Sequence, residues 1–382
     1  MKTLSILGAT GSIGTQALTI VDNFPDDIKI VSLSAHANSE KLFELVRKYR
    51  PKAAALTQGE VETPEDLSFC SWYFGKDALS QMTKEIPSDD VLVSVVGMSA
   101  LEAVLAAIET NKRILLANKE TLVAGGNIIM PLCQVFGEKA NLIPVDSEHS
   151  AIHQCLLGKN GNAFKKLVLT ASGGPFRTYT KERMASVSVK DALKHPTWSM
   201  GSKITIDSAT MFNKALEIIE AAYLFSAKGE QIEVVIHPQS IVHSMVEYDD
   251  NSVLAQLGVP DMKTPIMYAM FYPKRRMSIS ESLNLANVGT LTFEKPDFNK
   301  FKALKLAYYA LKAKGAAPCV LNAANEVAVY AFLRGAISFM SIFDTVEHVL
   351  NMDLPKVGTV PEILNADLWA RAQAEQYIHQ NS

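Results

Sequence analysis

The segment from His195 to Glu217 carries residue types that could bind and transform a polar ligand. It combines a histidine, hydroxyl groups, an amide, an amine and a carboxylate, and its second half has the periodicity of one amphipathic helix. On that helix Asn213, Lys214 and Glu217 are neighbours, because residues three and four positions apart share a face. This set suits a phosphorylated, hydroxylated ligand. A solvated helix face is the alternative, and the segment alone does not separate the two.

Two further acids, Asp146 and Glu148, follow an apolar run. If the segment is extended, both carboxylates project from the same side, because side chains alternate along a strand. Two close carboxylates repel each other unless a cation or a proton lies between them. Capping of a helix predicted over Ser150–Leu157 explains the acids equally well. Carboxylate oxygens are hard ligands, so Mg²⁺ or Mn²⁺ is favoured over zinc, although His149 and His153 have zinc-helix spacing.

Two loops have the composition of ligand-binding segments. The apolar run Val168–Ala171 leads into Ser172 and paired glycines, which suits close approach of a phosphate to the backbone, with a plain turn as the alternative. The loop before Gly201 contains Trp198 and Met200, large apolar side chains that are costly to expose. We expect a lid over the site there, with packing on the domain surface as the alternative.

The N-terminus has the sequence context of a dinucleotide-binding loop. The buried strand predicted over Leu4–Leu7 is followed by GATGSIG, Gly8–Gly14, and by a helix predicted over Thr15–Asn23. Glycines in this order let backbone N–H groups approach a pyrophosphate at the positive end of the helix. The strand predicted over Lys29–Leu33 leads into polar residues with no acid before Glu40, which favours NADP over NAD.

Strands and helices alternate through the first 150 residues, which indicates a doubly wound parallel sheet. The further predicted elements are strands Ala53–Leu56, Val91–Val95 and Arg113–Leu116 and helices Ser39–Tyr49 and Ala100–Thr110. The last of these strands runs into Asn118, Lys119 and Glu120, at the sheet edge where ligands bind.

The composition is that of an ordinary globular protein. A length of 382 residues predicts two or three domains, and 48% hydrophobic and 20% charged residues are unremarkable values. The net charge of −3 gives no basic footprint for nucleic acid. We expect no membrane span and no signal peptide. The four cysteines form no CxxC pair, so we expect free thiols in a reducing cytoplasm.

The last eighty residues read as a small helical bundle. Helices are predicted over Leu304–Lys314, Cys319–Arg334, Ser341–Asn351 and Val360–Gln380. The second helix carries Asn322, Asn325 and Glu326 on one turn, where they could face the catalytic domain. We expect a supporting role, because the bundle contains no reactive set.

These motifs together resemble the 1-deoxy-D-xylulose 5-phosphate reductoisomerase family over nearly the whole chain. The shared strings include GATGSIG, LLANKE, PVDSEH, TASGGPF, HPTWSMG, KITIDSAT, VVIHPQSIVHSMVEY and VLNAANEVAV. The resemblance implies a Rossmann-like doubly wound N-terminal domain (1–149), a central α/β catalytic domain (150–290) with a flap (195–203), a linker (291–302) and an α-helical C-terminal domain (303–382). It also implies a homodimer.

The family reaction rearranges a ketose phosphate within one molecule and then reduces it with NADPH to 2-C-methyl-D-erythritol 4-phosphate, in non-mevalonate isoprenoid synthesis. The family's divalent-metal ligands (Mn²⁺ or Mg²⁺) match Asp146, Glu148 and Glu217, and the ion would stabilise enediolate-like charge. The catalytic and substrate contacts match Lys119, Ser147, Glu148, Ser172, His195, Ser208, Asn213, Lys214 and Glu217. The NADPH contacts match Thr10, Gly11, Ser12, Ile13, Asn38, Asn118, Glu120 and Gly201. The mobile flap matches Trp198 and Met200.

The chain departs from the family pattern at three places: His36-Ala37, where glycine and a basic residue are usual, Met98-Ser99-Ala100, and Ala215, where glycine is usual. The first departure removes the cation expected near the 2′-phosphate.

Two alternative functions require other catalytic or binding residues. A semialdehyde or homoserine-type dehydrogenase needs a catalytic cysteine or a lysine–aspartate pair, and a non-catalytic NADPH sensor needs no metal carboxylates.

Overall fold

The computed structural model describes residues 1–136, 142–158, 163–194 and 201–381. The strands are β1 (Lys2–Leu7), β2 (Ile28–Ala35), β3 (Ala53–Leu56), β4 (Ser71–Phe74), β5 (Asp90–Val93), β6 (Arg113–Leu116), β7 (Leu142–Pro144), β8 (Phe164–Ala171), β9 (Ile232–Ile236), β10 (Val242–Tyr248) and β11 (Val253–Leu257).

The helices are α1 (Ser12–Asn23), α2 (Ser39–Tyr49), α3 (Ala78–Glu85), α4 (Leu101–Glu109), α5 (Lys119–Phe136), α6 (Ser147–Leu156), α7 (Lys181–Met184), α8 (Val189–Ala192), α9 (Ser202–Thr210), α10 (Phe212–Leu224), α11 (Lys263–Phe271), α12 (Leu285–Val288), α13 (Lys302–Ala313), α14 (Ala317–Leu333), α15 (Phe339–Leu350) and α16 (Val360–Asn381). None of these helices is both long and apolar enough to cross a membrane.

The chain divides into two compact units. The first unit consists of Met1–Thr121, Ile129–Ser150 and Asp261–Ser282, and the second of Leu122–Ile128, Ala151–Pro260 and Leu283–Ser382.

The first unit is built on a seven-stranded sheet in the order β4-β3-β2-β1-β5-β6-β7. Every strand pair in it is parallel. The central strands are short apolar runs buried on both faces, as parallel sheets covered by helices require. Leu4, Ile6, Leu33 and Leu92 lie in one hydrophobic core, each at most 1% exposed. The predicted Rossmann-like sheet is therefore confirmed.

The second unit contains a four-stranded mixed sheet, in the order β11-β10-β8-β9, and the C-terminal helices. Strands β8 and β9 are parallel, whereas β10 is antiparallel to both β8 and β11. Helix α14 is buried along almost its whole length, and Phe332 and Phe343 both pack edge-to-face on Phe339 beside it. The predicted helical C-terminal region is confirmed.

Two local expectations were wrong. The second half of the His195–Glu217 segment was predicted to be one amphipathic helix, but the backbone breaks at Met211, whose φ is +64°, so α9 and α10 are separate helices. Asp146 and Glu148 were considered as alternating residues of an extended segment, but α6 begins at Ser147 and includes Glu148. In both places tertiary packing decides a boundary that no glycine or proline marks.

Candidate functional site

The glycine turn of the first unit forms a tight cradle before α1. Gly8 has a φ of +92°, and a Cβ there would lie 2.8 Å from the carbonyl oxygen of Ser94. A Cβ on Gly14 would collide with the carbonyl oxygen of Gly8 and lie 2.7 Å from the Cα of Ala9. The Gly8 N–H donates to Ser34 Oγ at 2.9 Å, which fixes the turn to β2. Gly11 precedes α1 and has no side chain to cap it, so this end of the helix suits a pyrophosphate.

The residues after β2 are ordered by local hydrogen bonds. The ring Nδ1 of His36 lies 2.8 Å from Thr57 Oγ1. Asn38 caps α2, with its Oδ1 accepting from the Lys41 N–H at 3.0 Å. The Lys41 ammonium lies 2.7 Å from Glu44, and both side chains are exposed. The polar, non-acidic character predicted for this edge is therefore present, but its nearby cation is already paired.

Asn118, which follows β6, is held by hydrogen bonds to the segment after β5 and to the first turn of α5. Its side-chain amide is 1% exposed and donates to the carbonyl oxygens of Val95 at 2.9 Å and Gly97 at 3.0 Å. Its Oδ1 accepts from the Thr121 N–H at 3.0 Å in the first turn of α5. Asn118 Nδ2 also lies 3.0 Å from a carboxylate oxygen of Glu120. These bonds explain how Asn118 and Glu120 are held, whichever ligand they meet.

The two acids near α6 lie in a charged cluster. Asp146 forms an ion pair with Lys119, whose side chain is 8% exposed. Glu148 accepts a hydrogen bond from Ser147 Oγ at 2.5 Å. Ligand oxygens of Asp146 and Glu148 lie within 4.8 Å of each other. His149 Nδ1 is 3.9 Å from Asp146. Two close carboxylates fit a hard divalent cation, which would relieve their mutual repulsion.

In the second unit the buried Lys214 and Glu217 form a cluster on α10 with the partly buried Asn213. Glu217 is fully buried and Lys214 is 3% exposed. Glu217 forms an ion pair with Lys214 and accepts from Asn213 Nδ2 at 2.5 Å. The predicted neighbourhood is confirmed, and the solvated-face alternative is wrong for this part of the helix. Ala215, a departure from the family pattern, is fully buried in the same helix.

The turn after β8 packs tightly against α9. Gly173 and Gly174 have φ values of +83° and +67°, and the Gly174 N–H donates to Ser172 Oγ at 3.3 Å. A Cβ on Gly174 would lie 2.6 Å from the carbonyl oxygen of Ser208. Gly174 therefore allows the Ser172 turn and the Ser208 turn of the helix to approach each other closely.

A third group of polar side chains was not assigned a role from the sequence. Lys203 and Asp207 on α9 form an ion pair at 2.6 Å, and Asn325 on α14 donates to Asp207 at 2.9 Å. Asp207 and Asn325 are separated by 118 residues, so no local spacing signals their contact. Asn325 was expected only to face the catalytic domain.

The predicted flap and substrate residues His195, Trp198 and Met200 lie outside the described residues. Gly201 is described and precedes the first turn of α9.

The cysteines carry no sign of nucleophilic activation: burial raises the thiol pKa to about 11 for Cys133 and Cys155 and to about 12 for Cys70 and Cys319. This result disfavours the dehydrogenase alternative that depends on a catalytic cysteine.

Three family models match the chain. Residues 4–126 match 1-deoxy-D-xylulose 5-phosphate reductoisomerase, residues 142–225 match the C-terminal domain of that family, and residues 257–373 match the DXP reductoisomerase C-terminal domain.

Reductoisomerases of other organisms are similar to this chain over its full length. The reductoisomerase of Phocaeicola vulgatus is 48% identical over 378 residues, covering 98% of each chain. That of Desulforamulus reducens is 47% identical over 390 residues, covering 99% of each. The solved structure of the Zymomonas mobilis enzyme in complex with NADPH has a TM-score of 0.91 and 40% identity, covering 99% of each chain. A DOX-P reductoisomerase in complex with NADPH, fosmidomycin and magnesium has the same score and identity, covering 99% of this chain and 98% of the other.

Proposed function

The chain belongs to the 1-deoxy-D-xylulose 5-phosphate reductoisomerase family, and on that premise we propose how its residues divide the work of the reaction. The enzyme converts 1-deoxy-D-xylulose 5-phosphate to 2-C-methyl-D-erythritol 4-phosphate, with NADPH and a divalent metal, in isoprenoid biosynthesis. The observation that carries the assignment is the cluster of Asn213, Lys214 and Glu217. It combines a buried cation and a buried carboxylate with a partly buried amide, a set that is costly to fold unless a function retains it.

We propose that Asp146, Glu148 and Glu217 hold Mg²⁺ or Mn²⁺. The close oxygens of Asp146 and Glu148 and the buried carboxylate of Glu217 are the hard donors that such an ion prefers. When bound, the ion supplies Lewis-acid stabilisation of negative charge on the substrate oxygens. Lys119 and Lys214, which pair with Asp146 and Glu217, also balance the charge of the acids.

The substrate is phosphorylated, and the second unit offers the groups to bind it. We propose that Ser172, with the backbone of Gly173 and Gly174, and Ser208 bind the phosphate, because the two turns approach each other closely. The Lys214 ammonium and the Asn213 amide orient the hydroxyl oxygens of the substrate. Ser147, Lys119 and His195 are proposed as further substrate contacts, and Trp198 and Met200 as a cover that excludes water.

We propose that the NADPH contacts lie in the first unit except for one, Gly201, which belongs to the second. The glycine turn supports this assignment, because a side chain at Gly8 or Gly14 would collide with the neighbouring backbone and distort the turn before α1. The proposed contacts are Thr10, Gly11, Ser12, Ile13, Asn38, Asn118, Glu120 and Gly201. We propose that residues 1–149 form the NADPH-binding domain and residues 150–290 the catalytic domain. Residues 291–302 are then a linker to the helical C-terminal domain, residues 303–382.

We also propose a homodimer that works in the cytoplasm. Strand β11 lies at the edge of its sheet, and Val253 and Leu254 on it are 53% and 48% exposed. An apolar edge strand is suited to pairing with a second copy. The four free thiols fit a reducing compartment.

One assay tests the function: oxidation of NADPH with 1-deoxy-D-xylulose 5-phosphate, with and without Mg²⁺ or Mn²⁺. We expect Glu217→Gln to lower turnover by more than about 100-fold. Mutation of residues that only hydrogen-bond to a metal ligand already lowers metal affinity or activity by about 10- to 100-fold. NADPH affinity should stay unchanged, because the nucleotide site lies on other residues.

Glu233→Gln is the matched control, because Glu233 is exposed on β9 and pairs with Lys166. Metal-independent turnover by the wild type, or full activity of the Glu217 variant, would refute the ligand assignment. NADPH binding without any turnover of this substrate would instead support the sensor alternative.

A further inference from the structure

A buried polar chain connects the C-terminal helical region to α9. The Lys203 ammonium lies 2.6 Å from Asp207 Oδ2, and Asn325 Nδ2 donates to Asp207 Oδ1 at 2.9 Å. The exposed fractions of the three residues are 8%, 2% and 0%. Each oxygen of the Asp207 carboxylate therefore has its own partner, one from its own helix and one from α14.

A buried carboxylate is tolerated only when its oxygens are bound. Removing one partner of a buried carboxylate costs far more stability than removing a contact on the surface. The reason is that a carboxylate oxygen is then left without water and without a hydrogen bond. Asn325 is the partner supplied from outside α9. It therefore specifies where Asp207 sits relative to α14, and with it the rotation and height of α9.

The position of Asp207 is transmitted directly to the proposed phosphate site. Ser208 is the next residue, and the backbone of Ser208 and Ala209 leaves no room for a side chain at Gly174: a Cβ there would lie 2.6 Å and 3.2 Å from them. A shift of α9 therefore moves the Ser208 hydroxyl and presses on the turn that carries Ser172.

Helix α14 is itself held by α16. Glu326, the residue after Asn325, lies 2.6 Å from Arg371 of α16, and Arg371 lies 2.7 Å from Asp367. The helix that presents Asn325 is thus fixed by a second, independent ion-pair network. The bundle can act as a rigid reference for α9.

We propose that Asn325 is a positioning residue for the substrate phosphate, acting through Asp207 on the Ser208 and Ser172 turns. This inference rests on the proposed function, because it takes those two serines as phosphate contacts. It assigns to the C-terminal bundle a role in substrate affinity in addition to its role in stability.

The test is Asn325→Leu, which keeps the branching and the number of non-hydrogen atoms of the side chain and removes the donor. We expect the KM for 1-deoxy-D-xylulose 5-phosphate to rise about 10- to 100-fold, since small displacements of positioned groups have effects up to that size. The kcat should stay within about two-fold, because a binding interaction shared by ground and transition states changes KM alone. Fosmidomycin affinity, measured by calorimetry, should fall in parallel, whereas NADPH affinity should not change.

Asn322→Leu is the matched control. Asn322 is fully buried on the same helix, and neither of its amide atoms has a hydrogen-bond partner within the described part of the chain. The same substitution there should leave the KM unchanged. A KM increase of the same size in this control would show a general packing effect and overturn the proposal.

Asn325→Asp gives a second test that does not depend on an apolar replacement folding well. At neutral pH the introduced carboxylate repels Asp207, so the KM should rise. On acidification towards pH 5.5 the introduced group gains a proton and can donate to Asp207, so the ratio of its KM to the wild-type KM should fall. A ratio that does not change with pH, or a KM within two-fold of wild type in both Asn325 variants, overturns the inference. Loss of wild-type turnover would instead overturn the proposed function.

Discussion

At the scale of single residues, the buried charged groups of α10 are stabilised by each other. Glu217 is fully buried and has both a cation and an amide as partners. A ligand that takes over one carboxylate oxygen must therefore compete with Lys214 or Asn213. Metal and substrate binding should be coupled for this reason, since each releases or recruits the same side chains.

The glycine turn gives a sharp residue-level prediction. Gly14→Ala places a methyl group against the carbonyl oxygen of Gly8 and 2.7 Å from the Cα of Ala9, so the turn or the start of α1 must shift. We expect NADPH affinity to fall by at least about 10-fold, because the backbone N–H groups no longer converge on the pyrophosphate. Fluorescence titration with NADPH measures this.

Gly11→Ala is the comparison in the same turn. Its Cβ would lie 3.4 Å from the carbonyl oxygen of Gly8 and 4.0 Å from that of Ser94, which are ordinary or nearly ordinary contacts. The loss of affinity should be several-fold smaller than for Gly14→Ala. Equal losses would mean that the collision at Gly14 is not the cause.

Sequence reasoning found the residues whose partners are close along the chain. Asn213, Lys214 and Glu217 reveal each other through helical spacing, and Asp146 and Glu148 through proximity. Asp207 and Asn325 could not be found in this way, because their contact joins two helices far apart in sequence. Nor could burial of the α10 face be read from its polarity.

At the scale of elements, apolar runs and amphipathic periodicity predicted the positions of several strands and helices. Strands Ala53–Leu56 and Arg113–Leu116 and helix Ser39–Tyr49 have the predicted bounds. The strand Ser71–Phe74 and the length of α5 were not anticipated. The edge strand is only four residues long and partly exposed, and α5 contains glycines and a proline, so local propensity is weak in both.

Helix α3 supports a prediction about pH. Lys112 is 4% exposed and donates to the carbonyl oxygens of Thr83 and Ile86 at the end of that helix. Burial lowers the pKa of Lys112 from 10.5 to about 8. Between about pH 8 and pH 10.5 the unfolded chain binds more protons at this group than the folded chain. The contribution of Lys112 to the free energy of unfolding therefore rises with pH in that window, by up to roughly 3 kcal/mol.

Lys112→Met removes this contribution. We expect the difference in unfolding free energy between wild type and variant to increase in favour of the wild type from pH 8 to pH 10. Urea unfolding at several pH values measures it. Parallel stability curves for the two proteins across this range would contradict the lowered pKa.

At the scale of the whole molecule, the exposed edge strand predicts how copies associate. Leu254→Lys places a charge on β11, where a second copy would pair, and edge lysines oppose such pairing. We expect the variant to shift towards monomer at micromolar concentration, as measured by sedimentation equilibrium. Leu368→Lys is the control, because Leu368 is 64% exposed on α16 and lies on a different element. A wild-type protein that sediments as a monomer would exclude the homodimer.

The four free thiols, of which three are buried and that of Cys133 is partly buried, have a practical consequence for labelling chemistry. With pKa values of about 11 to 12, only about one thiol in ten thousand or fewer is ionised at pH 7, so all four react slowly with maleimides. A single cysteine introduced at an exposed position would react far faster than this background. Ser202, exposed at the start of α9 and within the predicted flap, is such a position. A fluorophore attached there would report on ligand binding without the removal of any native cysteine.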